Sequence, residues 1–234
     1  MLFAHTLIGF DLGARPHRGV RLVRDPRDIW LSGYLYHRRC DEAWCTNTDF
    51  SRQAPIRFPQ VPHSRQHCAE DWKRSYLAGL GGRSYQQNLM ALDRDAGLAF
   101  ELDRYTGWTL EAMAAWRPDP DTIDVRMEDF MADFDGTLTR IVRHCGMEEA
   151  MIPAALAVAT SGAVAPSLDM NRMSDAQVAS DPHIHSRSIT KWPDLLSPAQ
   201  MAMVEDRHGA LIQALGYPVG SHPQRCAGGG RARR

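Results

Sequence analysis

The sequence has no apolar run approaching the roughly 20 residues that cross a bilayer, so no membrane-spanning helix is expected. It also lacks an excess of either charge. Its 27 Lys and Arg stand against 28 Asp and Glu, a formal net charge of -1, and this removes any global pull toward nucleic acid or an anionic membrane surface. An anion site, if there is one, must be local. Cysteine is sparse: five residues, odd in number and irregularly spaced, fit reduced thiols rather than a disulfide framework. The opening MLFAHTLIGFDLG has no basic leader and carries Asp11, so a soluble, cytoplasmic protein is expected. There is no internal repeat. There is also no G-x-x-x-x-G-K-[ST] run, because GLGGRS at Gly79 to Ser84 has neither the lysine nor a preceding strand, which argues against a P-loop kinase.

At 234 residues the chain suits one domain, placed at residues 1–218, with a disordered tail at 219–234 where Gly, Pro and Arg gather without apolar periodicity. Strand-like segments at Met1 to Thr6, Val20 to Val23 and Thr122 to Val125 alternate with helical ones, which predicts an α/β fold with a parallel sheet. Residues 39 to 70 are rich in Pro and polar groups, as in a surface excursion or lid. Helical periodicity returns at Glu70 to Tyr76, Tyr85 to Asp95 and Leu98 to Trp116, before Pro118 and Pro120. Leu138, Ile141, Val142 and Cys145 then mark one helix face that should lie on the sheet, closed by Gly146. The last helix is punctuated by Ser197 and Gln200 as a capping box, Pro198 at its first position, and Gly216 and Pro218 beyond its end. Its inner stripe reads Val204, His208, Leu211, Ile212 and Leu215.

The segment VRLVRDPRDIWLSGYLYH, residues 20 to 37, concentrates charge in one turn. A strand that ends in Arg24 and turns through Pro26 into a helix puts a guanidinium at the carboxyl edge of a sheet, where open α/β sheets bind ligands. Arg24 can fork onto a phosphate, and Ser32, about two turns into the helix, can donate to the same group. Gly33 permits a close approach by a ligand or a neighbouring backbone. The alternative is that Arg24 pairs with Asp28 and Ser32 merely packs.

A strand, Arg-Asp-Pro-Arg-Asp, and then Ser-Gly-Tyr in an aromatic-rich helix resembles the 3′-phosphate-binding motif of the sulfotransferases that use 3′-phosphoadenosine 5′-phosphosulfate (PAPS). Residues 125 to 147 and 188 to 218 resemble the same family, in the family's order. The resemblance implies a three-layer, P-loop-like sheet flanked by helices, with PAPS as cosubstrate and no metal required. It implies that Arg24 and Ser32 hold the 3′-phosphate. Met127 stands where the family often has a nucleotide-contacting Tyr, and it can pack on adenine without donating a hydrogen bond. Near the C-terminus the family's Arg, Gly and Gly-Asp before Trp are replaced by His185, Arg187 and Thr190-Lys191 before Trp192, with Arg187 as a shifted phosphate ligand. The family's catalytic His matches His5, at the end of the first short strand, a group that titrates near neutral pH. The other reading of His5 is a surface or core-edge residue near a chain end.

In that family the loop for the 5′-phosphosulfate lies on a strand upstream of the segment with which this sequence opens. The chain is therefore expected to lack that first strand and loop, and to transfer sulfuryl groups slowly if at all. About three lost bonds at roughly 2 kcal/mol each amount to about four decades in rate. An open sheet edge would favour self-association as a homo-oligomer. Residues 39–121 should supply the pocket for a small-molecule or carbohydrate acceptor, with Trp44, Trp72, Tyr76, Tyr85 and Trp108 either lining it or simply packed. Two other readings remain: a noncatalytic binding module, and a zinc-stapled excursion held by Cys40, Cys45, His63, His67 and Cys68, whose 17-residue gap lies outside the usual finger spacing.

Overall fold

Two short β-branched segments, Gly19–Val23 (β1) and Thr122–Arg126 (β2), pair in parallel, with Val20 opposite Ile123 and Leu22 opposite Val125. The same register sets Arg21 against Asp124, and their side chains form an ion pair across the strands. The computed structural model describes residues 16–51, 53, 55–59, 69–117, 120–160, 171–181, 184 and 186–220. Within them the fold is mixed α/β, mostly helical, with this one two-stranded sheet. The strand expected at Met1 to Thr6, with His5, lies outside the described residues, as does most of the expected tail.

A parallel pair needs a long crossover. Here it consists of α1 (Pro26–His37), α2 (Ala43–Thr46), α3 (Glu70–Ala78), α4 (Tyr85–Ala91), α5 (Arg94–Glu101), a π-helical turn at Leu102–Thr106 and α6 (Gly107–Ala114). The helix expected over Tyr85 to Asp95 stops earlier. Asp93 accepts a hydrogen bond from the Ala96 amide and caps a new helix, so the break falls at Leu92–Asp93. The expected helix at Leu98 to Trp116 carries the π turn inside it.

After β2 come α7 (Met127–Ala132), α8 (Phe134–His144), a 3-10 turn at Glu149–Met151, α9 (Ile152–Thr160), α10 (Asp175–Ser180), α11 (Trp192–Leu195) and α12 (Pro198–Ala214). The capping box of α12 is present, with Ser197 accepting from the Gln200 amide and Gln200 accepting from that of Ser197. Gly216 follows at a left-handed φ of 80°. The inner face of α12 runs further toward its N-terminus than the stripe suggested, burying Gln200, Met201, Val204, Leu211 and Ile212, while His208 is only half-buried. On α8 the buried residues are Phe134 and Thr137, and Cys145 is exposed. That helix packs mainly on α7 and α9, so the expected face is only partly covered.

Helix α1 runs through the centre of the core. Trp30, Leu31 and Tyr34 are buried against Leu98, Leu102, Tyr85 and Val204, and the Trp30 indole donates to the Leu98 carbonyl at 2.8 Å. The two small residues in this bulky helix have separate reasons. At Gly33 an added Cβ would lie 2.8 Å from Thr106 Oγ1 and 2.9 Å from Glu101 Oε1. Gly33 therefore admits a buried carboxylate and hydroxyl against the helix, rather than a ligand. Alanine normally favours a helix over glycine by about 1 kcal/mol, so a loss of stability on substitution isolates the steric term. Gly33→Ala is expected to lower the unfolding free energy by about 1–3 kcal/mol, as measured by urea denaturation. Unchanged or raised stability would show that Glu101 and Thr106 can move aside.

Candidate functional site

The turn between β1 and α1 is built on a buried cation. Arg27 has no exposed surface, so its positive charge must find its partners inside the fold. Asp25 accepts from its Nε at 3.0 Å and its Nη2 at 2.7 Å, Glu205 of α12 accepts from Nη1 at 2.9 Å, and the Trp192 ring lies 3.8 Å from its Cζ. Asp25 also caps α1 by accepting from the Arg27 amide at 2.9 Å. One residue further on, Asp28 Oδ1 accepts from the backbone amides of Lys191 at 2.7 Å and Trp192 at 3.1 Å. Together these bonds bring residues 189–192 to the carboxyl end of β1.

Arg24 sits at that edge, half-buried. Its Nη1 donates to Ser32 Oγ at 3.0 Å and its Nη2 donates to the Ile189 carbonyl, while its buried Nε has no hydrogen-bond partner among the described residues. Asp28 Oδ1 is 3.9 Å from Arg24, too far for a hydrogen bond, and is already engaged by the two amides. The anticipated pairing of Arg24 with Asp28 is thus a loose ion pair, and Ser32 meets Arg24 rather than only packing.

Lys191 is the residue the motif reading passed over as a site member. It is buried, and burial followed by the Arg24 charge holds its ammonium below its ordinary pKa, with Arg39 adding to that effect. Asp28 pulls the other way without outweighing them. Two cations crowded at a half-buried edge, beside a hydroxyl and an unpartnered guanidinium N–H, make a corner that an anion relieves. The signal available in the sequence was the lysine immediately before Trp192.

Met127 opens α7 directly after β2 and is half-buried. Arg187 donates to the Met173 carbonyl at 2.7 Å and to Asp175 at 2.8 Å, which ties it to the start of α10. His5 and His185 lie outside the described residues. So do His63, His67 and Cys68, while Cys40 and Cys45 are both buried beside the His37 carbonyl. The Cys45 thiol donates to the His37 carbonyl, and its closeness to Cys40 holds the Cys40 thiol below its ordinary pKa against the opposing effect of burial. Among the described residues no three metal-ligating side chains gather.

Behind α1 lies a buried network that sequence reasoning missed. Glu101 accepts from Tyr85 at 2.9 Å and from Thr106 at 2.7 Å, and faces His37 Nδ1 at 2.9 Å. Burial opposes a charged His37, but the Glu101 carboxylate outweighs it and raises the imidazole pKa above its ordinary value. Trp44, half-buried, stacks on Tyr105 at 4.9 Å in the same region, and Tyr85 is buried beside them.

No family model matches the chain, and no curated protein or solved structure matches it.

Burial pushes the Asp28 carboxyl from 3.8 up to about 6, against the opposing pull of the Lys191 amide, Arg24 and the Trp192 amide. The native state therefore holds that proton more tightly than the unfolded chain. Its stabilising contribution is complete below the unfolded value and is lost as pH rises through about 6. Asp28→Asn keeps an acceptor oxygen for both amides and cannot ionise. The stability of this variant relative to wild type is expected to rise between about pH 4 and pH 7, read from urea unfolding across that range. A flat difference would show that Asp28 ionises normally in the fold.

Proposed function

We propose that this chain binds a 3′-phosphoadenosine nucleotide at the Arg24 corner and belongs functionally with the PAPS-dependent sulfotransferases, using PAPS as cosubstrate. The observation that carries the reading is the convergence of Arg24, Ser32 and Lys191 at the carboxyl end of a parallel strand, with the Arg24 Nε still unpartnered. A phosphate dianion offers acceptor oxygens to both cations and to the hydroxyl at once, and it offsets the repulsion between Arg24 and Lys191. Lys191 replaces Arg187 in this reading as the second cation on the 3′-phosphate. In the finer fold this reading carries, β1 and β2 form part of a three-layer, P-loop-like sheet.

Sulfuryl transfer requires an acceptor hydroxyl or amine in line with the sulfur, a base for its proton and stabilisation of the leaving phosphate. The base is assigned to His5. The nucleotide's 3′-phosphate does not react, so binding there serves to orient the cosubstrate. That makes the binding step testable without turnover.

Titration calorimetry should give tighter binding of adenosine 3′,5′-bisphosphate than of AMP by at least about tenfold, since the two differ in the 3′-phosphate and a charge-assisted bond is worth about 1.5–3 kcal/mol. Arg24→Ala should remove most of that preference. Equal affinity for the two nucleotides, or a preference that survives the substitution, would overturn the assignment.

A further inference from the structure

Helix α3, the π turn and α6 border an open cavity of about 390 Å³ lined by Trp72, Ser75, Tyr76, Asp103, Arg104 and Trp108. Its volume falls at the lower end of the roughly 300–1,000 Å³ usual for small-molecule sites. One wall is aromatic. Trp72 and Tyr76, one turn apart on α3, lie nearly parallel at 19° with centroids 5.8 Å apart, and Trp108 stands edge-on to Trp72 at 5.4 Å. Phe58 backs the group at 4.9 Å from Tyr76.

The polar groups on this wall are mostly engaged. The Tyr76 hydroxyl donates to the Arg104 carbonyl at 3.1 Å, and the Ser75 hydroxyl donates to the Asp71 carbonyl at 3.0 Å. Asp103 is ion-paired with Arg207 of α12, which compensates its charge. Arg104 is different: its guanidinium makes no hydrogen bond or ion pair among the described residues and is held by rings, 5.7 Å from the Tyr76 centroid and 6.0 Å from that of Phe100. A ring-bordered cavity with one uncompensated, oriented cation calls for a ligand with a flat apolar body and an anionic end.

We propose that this cavity binds a small aromatic carboxylate, its ring against Trp72 and Trp108 and its carboxylate on Arg104. A carboxylate matches the planar fork of a guanidinium, and ring stacking distinguishes an aromatic body from an aliphatic one. A cationic ligand, which an aromatic wall also attracts, meets repulsion from Arg104 and finds Asp103 already paired. None of these residues belongs to the Arg24 corner, so the proposal stands apart from the nucleotide reading.

The test is titration calorimetry on the full chain at low ionic strength with three probes of one shape: naphthoate, neutral naphthamide and cationic naphthylmethyl-trimethylammonium. Naphthoate should bind at least about tenfold more tightly than naphthamide, the margin of a charge-assisted bond. Arg104→Gln should abolish that margin while leaving naphthamide affinity within about twofold, and Arg24→Ala should change neither. The proposal is overturned by absent or equal binding of naphthoate and naphthamide to wild type, or by tighter binding of the ammonium probe. It is likewise overturned by a margin that survives Arg104→Gln, or by one that disappears with Arg24→Ala, which would put naphthoate at the nucleotide corner. The wild-type comparison decides even if a variant fails to fold.

Discussion

The structure depends first on the need to neutralise Arg27. A guanidinium with no exposure needs carboxylates brought to it, and removing one partner of such a pair costs about 3–5 kcal/mol. Asp25 supplies a bidentate contact from within the turn, Glu205 reaches in from α12, and Trp192 covers the guanidinium face. Three separate parts of the chain therefore meet around one charge. Asp28 extends the junction by accepting the Lys191 and Trp192 amides, and the position of Lys191 beside Arg24 follows from that. The corner proposed to take the phosphate is a consequence of how the turn is neutralised.

A second buried charge fixes the other side of the same helix. Glu101 receives hydroxyl donors from α4 and the π turn and faces His37 of α1, with Gly33 leaving room for the approach. Helix α1 is thus held at its start by Arg27 and along its body by Glu101. Ser32 lies between these two anchors, which limits the rotation that would separate its hydroxyl from Arg24. A site carried on an element fixed in this way keeps its geometry before a ligand arrives. The π turn that follows Glu101 also places Arg104 and Trp108 at the aromatic cavity, so one irregularity serves both the core and the surface.

Local signals in the sequence were read well where a short stretch decides the outcome. The Ser197 to Gln200 capping box and the left-handed Gly216 both depend on neighbours within a few residues. The contacts that build the site do not. Asp28 and Lys191 are 163 residues apart, and Arg27 and Glu205 are 178 apart, separations that periodicity and spacing cannot bridge. An arginine in a charged turn looks solvated until the fold buries it. The break at Asp93 and the π turn were hidden because both lie within continuous helical periodicity, and the lesser burial of Cys145 reflects what α8 packs against rather than its own pattern.

In the proposed complex the Arg27 junction positions Arg24, Ser32 and Lys191 as one receptor for the 3′-phosphate. The direct measurement is a crystal structure of the chain with adenosine 3′,5′-bisphosphate. The expected result is 3′-phosphate oxygens within about 3 Å of the Arg24 guanidinium, Ser32 Oγ and Lys191 Nζ, with the Arg27 contacts to Asp25 and Glu205 unchanged. A nucleotide bound with its 3′-phosphate away from these three residues, or with its 5′-phosphate in their place, would contradict it.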